Sequence, residues 1–78
     1  MHLYPYLDKN VEIKFDDETV YGKVVGYTSA DDNEPDDAGN YGGEYVTIKV
    51  SQPTGHFEVG EQFSAFLYEI KSIKATGI

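Results

Sequence analysis

Seventy-eight residues suffice for one small domain, whose apolar burial barely exceeds the entropy of ordering the chain. The chain has no cysteine, which excludes disulfides and thiolate metal sites. Fourteen carboxylates against six lysines give a formal charge of −8, which disfavours phosphate-rich partners and anionic membranes and favours solubility or a basic partner.

The opening "MHLYPYLDKN" has no basic segment followed by an apolar one, so it does not read as a signal peptide. No apolar run approaches the length of a membrane span, and the expected location is cytoplasmic. Within this opening, "LYPYL" predicts a short turn or helix, with Pro5 suited to its first turn. "VEIKF" then alternates, with Val11, Ile13 and Phe15 on one face and Glu12 and Lys14 on the other, the period of a half-buried strand. "DDE" at 16–18 supplies a turn.

A second strand follows in "TVYGKVVGYT", rich in β-branched and aromatic residues. Gly22 and Gly26 stand four apart, hence on one face of an unbroken strand, where they predict a sharp bend. On the opposite face the same alternation places Tyr21 and Tyr27, and with Tyr45 they form a candidate exposed aromatic patch. Such a patch stacks bases or meets another protein, and it also suits rings that cover a barrel end with hydroxyls in water.

"SADDNEPDDAGNYGGE", residues 29–44, holds six carboxylates and no positive charge. As a calcium loop it fails. Counted from Asp31, Pro35 and Asp36 occupy positions that need an oxygen ligand and glycine; counted from Asp32, Asp37 stands where glycine is required. Asp, Asn, Gly and Pro all favour turns, so the stretch reads first as a flexible acidic connection, with a partner-contacting loop and a weak, irregular cation site as the lesser readings.

"YVTIKV" resumes the alternation as a third strand. "SQPTGHFEVGEQ" is loop-like, "QFSAF" a fourth strand, "LYEI" one tight helical turn, and "KSIKA" a fifth strand. Five short strands with a bent second one predict an all-β fold: a small, strongly bent antiparallel barrel over residues 1–78, closed so that no edge strand is left.

Catalytic chemistry finds no support in this pattern. The serines at 29, 51, 64 and 72 have no base placed beside them by any local motif; the histidines are His2, near the terminus, and His56, in a Gly/Pro loop. Two histidines without H-E-x-x-H do not make a metal centre. Asp16 and Asp17 fall in a solvated turn. "GNYGGE" lacks the lysine and the helix of a phosphate-binding loop. The expectation is a protein with no catalytic residue, no cofactor, no metal and no small-molecule substrate.

The order of features resembles a family. "YLDKNVEIKFDDETVYGKVVGYTSADDNE" is similar to the first motif of Sm-like (LSm) proteins, small barrels of the SH3-like kind. Val11, Ile13 and Phe15 fill its first strand, Gly22 matches its bend glycine, and Asp31 or Asp32 with Asn33 falls where the family keeps an Asp and an Asn. "FLYEIKSIKA" looks like the second motif, a tight turn joining the last two strands. The resemblance implies a ring built by pairing between the fourth and fifth strands of neighbouring copies. Its contact segments are then "GEQFSAF" and "KSIKA", with Phe63, Phe66 and Ile73 as self-association residues. For an RNA-binding member it implies base contacts at Tyr27, Asp31 and Asn33. The Arg/Lys–Gly pair of RNA-binding members is replaced by "FLYEI", and the glycine of the first turn is missing from "DDET". With the charge of −8, these departures favour a non-enzymatic interaction module that meets itself or a protein partner. An RNA-binding ring is the alternative, and an acidic mimic of nucleic acid, resting on charge alone, is the third reading.

Overall fold

The computed structural model describes residues 2–32 and 42–76, and within them the protein is all-β. Five strands form a single antiparallel sheet: β1 (Asn10–Lys14), β2 (Thr19–Thr28), β3 (Tyr45–Val50), β4 (Gln62–Phe66) and β5 (Ser72–Ala75). Their order is β4-β3-β2-β1-β5. Three short 3-10 turns complete the fold, at Tyr4–Tyr6, Ala30–Asp32 and Leu67–Glu69.

A flat sheet cannot bury one face against itself. Here Val11 and Ile13 of β1, Val24 of β2, Val46 and Ile48 of β3, Ala65 of β4 and Ile73 of β5 all join one core, so the sheet must curl around its own inner face. The alternation of the sequence carries this arrangement. β1 and β3 send every second side chain inward, as their buried-to-exposed patterns display.

The expected closure is not made. β4 and β5 lie at opposite ends of the sheet and do not hydrogen-bond to each other. The chain passes between them through Leu67–Glu69, and Leu67 and Ile70 from this link pack on the core. Apolar side chains, rather than a backbone ladder, therefore occupy the connection between the two edge strands.

Two features of β2 position everything beside it. At Gly22 the strand pairs with Val11 on one side and Val50 on the other. A Cβ at Gly22 would lie 2.6 Å from both the Ile48 Cγ2 and the Lys49 carbonyl oxygen, so only glycine permits this approach of β2 to β3. Between Val24 and Gly26 the register with β3 shifts, leaving Val25 as the extra residue of a bulge. The bulge reverses the faces beyond it. Gly26 pairs with Thr47 on the outer face, so the two glycines do not share a face as unbroken alternation predicts. Tyr27 pairs with Val46 and packs against the core.

The N-terminal segment caps one end of the core. Leu3 is fully buried, and its backbone N–H donates to a carboxylate oxygen of Glu44. The turn at Tyr4–Tyr6 carries Pro5 in its first turn, as the sequence predicts. Asp8 then takes a left-handed conformation (φ 65°), with its N–H donating to the Val24 carbonyl at 2.8 Å. Val24 N–H donates back to the Lys9 carbonyl at 2.9 Å, which aligns the lead-in with β2 just before the bulge.

Candidate functional site

The open edges are the first surface of interest. Among the described residues no strand pairs with the outer edge of β4 or of β5. The β4 register is anchored at both ends: Val50 N–H donates to the Glu61 carbonyl at 2.8 Å, and Leu67 N–H to the Glu44 carbonyl at 2.9 Å. Antiparallel alternation between these anchors turns the backbone of 63 and 65 toward β3 and that of 62, 64 and 66 outward. The outward Phe66 N–H meets the Glu69 carboxylate at 3.4 Å, a long contact from the following turn.

Beside this edge lies an aromatic ridge. Tyr45 and Phe66 face each other across β3 and β4, with ring centroids 5.0 Å apart. Phe66 continues to Tyr68 at 5.5 Å, and Tyr68 is 64% exposed. The aromatic patch is thus not the one alternation predicts. Tyr27 is turned inward by the bulge and meets Tyr4 edge-to-face at 5.2 Å, whereas Tyr21 stays beside Glu12 on the outer face. Tyr45 keeps its outer position and takes Phe66 and Tyr68 as neighbours.

The three residues expected at a self-association surface have different surroundings. Phe66 presents its ring outward on the ridge. Phe63 faces inward, packs against the core and stacks on Phe57 at 4.4 Å. Ile73 is 9% exposed and belongs to the core, so β5 offers its backbone edge rather than this side chain. Of the residues expected at an RNA surface, Tyr27 packs on the core, Asp31 is exposed in the turn Ala30–Asp32, and Asn33 lies outside the described residues.

The acidic stretch divides in the same way. Residues 33–41, with Glu34, Asp36 and Asp37, lie outside the described residues. Glu44 is structural: it holds the Leu3 N–H, and its second oxygen lies 3.9 Å from His2 Nδ1. Among the described residues no group of three or more His, Asp or Glu gathers as a metal site. No helix among them is long and apolar enough to cross a membrane.

A cleft of about 500 Å³ opens at one end of the molecule, where the β1–β2 turn, β4 and the Leu67–Glu69 turn converge. Phe15, Phe57 and Phe63 line it, and Asp16, Asp17 and Glu18 stand along the turn side. His56 lies beside it, its Nδ1 3.1 Å from the Glu18 carboxylate. Sequence reasoning missed this site because its parts are far apart in the chain. Phe57 sits in a loop with no periodicity to mark it, and the His56–Glu18 contact spans 38 residues.

No family model, curated protein or solved structure matches the chain. Fold and site together define a small open-edged β-sheet protein with an aromatic ridge along one edge.

Proposed function

We propose that this chain is a non-enzymatic interaction module of Sm-like type that assembles with copies of itself through its sheet edges. The observation that carries the reading is the pair of open edges, β4 and β5, at opposite ends of one antiparallel sheet. An edge strand is a template for pairing. A β4-to-β5 contact between copies is head-to-tail, and such contacts close into a ring when the rotation per subunit permits.

The ridge of Tyr45, Phe66 and Tyr68 supplies apolar area beside the β4 edge. Large aromatic rings are the usual anchors of protein interfaces. Phe66→Glu tests the reading. The ring is on the outer face, so the variant keeps its fold and loses assembly. A Phe66→Glu protein with the mass of the parent would remove the ridge from the interface. An assembly that persists with both edges solvent-accessible in hydrogen exchange would remove the edges.

A further inference from the structure

The cleft beside the β1–β2 turn combines two features that recognise the same chemistry. Its apolar lining is aromatic: Phe57 lies stacked on Phe63, and Phe15 stands 6.2 Å from Phe63. Its polar lining is acidic. Asp16, Asp17, Glu18 and Glu69 border it, against a single cation, Lys71. That lysine is already held by Asp16 at 3.2 Å. An aromatic face attracts a cation within about 6 Å of its centroid, and a carboxylate rim adds the charge that an alkyl ammonium or guanidinium needs as it leaves water.

We propose that this cleft binds a lysine- or arginine-bearing segment of a partner protein. Charge complementarity selects this occupant. A nucleic-acid strand brings phosphates to a rim of four carboxylates, whereas a lysine or arginine brings the opposite charge. A wholly apolar segment would take water from the acidic rim and bring no charge in its place. The volume of about 500 Å³ accommodates one or two long side chains, and Lys and Arg lay their methylene stems on apolar surface while the head group stays at the polar rim. The proposal goes beyond self-assembly and does not depend on it, since the cleft lies within one chain.

The test is an amide-shift NMR titration of the whole chain with a short peptide of alternating arginine and glycine. Its glutamate counterpart, spermidine and a short single-stranded oligonucleotide are titrated in parallel. Saturable shifts centred on residues 15–18, 57 and 63–64 are expected with the arginine peptide alone, weakening as salt rises. Asp17→Lys, at an exposed turn, should weaken binding about fivefold, and Glu61→Lys, exposed and outside the cleft, by less than about twofold. Equal losses in the two variants would reduce the effect to general attraction by an acidic protein and overturn the site. So would shifts spread over the surface, or none. Spermidine binding as tightly as the peptide would make this a small-cation site, and oligonucleotide binding there would contradict the charge argument. Because the solution mass is measured separately, failure of peptide binding and failure of self-assembly are distinguishable.

Discussion

Gly22 and Gly26 look alike in the sequence, yet the structure assigns them opposite tolerances. At Gly22 an added methyl falls 2.6 Å from the Ile48 Cγ2 and 2.6 Å from the Lys49 carbonyl oxygen. The first contact involves a buried core side chain and the second a backbone atom of β3, so neither yields without moving the β2–β3 ladder. Overpacking of this kind costs about 1–3 kcal/mol, and the reduced entropy of the unfolded chain returns about 0.4–1 kcal/mol. Gly22→Ala should therefore lose about 1.3 kcal/mol, which for a domain of this size lowers Tm by roughly 8 °C. At Gly26 the nearest atom, the Thr47 Oγ1, is 3.5 Å away, an ordinary contact, and Gly26→Ala should stay within about 0.5 kcal/mol of the parent. Thermal and urea unfolding followed by circular dichroism measure both. A Gly22→Ala protein as stable as the parent, or a Gly26→Ala protein equally damaged, would refute the close approach of β2 to β3 at Gly22.

Two further substitutions test the N-terminal cap. Glu44→Ala removes the acceptor of the Leu3 N–H and should cost about 1–3 kcal/mol, with faster hydrogen exchange at Leu3 measured by NMR. Protection at Leu3 equal to that of the parent would place its acceptor elsewhere. Asp8 holds a left-handed backbone that Asp tolerates and β-branched residues do not. In urea denaturation Asp8→Val should lose about 1–2 kcal/mol and Asp8→Gly much less; equal losses would contradict that conformation.

The strands were legible because their faces alternate. β2, β3 and β4 begin and end where "TVYGKVVGYT", "YVTIKV" and "QFSAF" do, and β1 and β5 differ from the expected segments only at their ends. The tight turn before β5 and the one containing Pro5 were equally local signals. The bulge at Val25 was not legible. Gly26 beside it signals a bend, but nothing in the alternation signals the one-residue insertion that moves Tyr27 from the outer face to the core. Closure failed as an expectation because β-rich composition does not specify whether the last two strands meet. Here Leu67 and Ile70 of the link pack on the core, and the two strands it joins remain apart in the sheet order. The role of Glu44 was hidden inside a run of similar carboxylates, since its partner Leu3 lies 41 residues away. The cleft was invisible for the same reason: His56, Phe57 and Phe63 meet the β1–β2 turn only in the folded chain.

Self-assembly through open edges is the central claim, and solution mass tests it most directly. Light scattering on a size-exclusion column, across micromolar to millimolar protein, should give a fixed multiple of the 78-residue chain, reduced to a single chain by Phe66→Glu. A single-chain mass for the parent throughout that range would contradict the account and leave the edges of β4 and β5 without a partner copy.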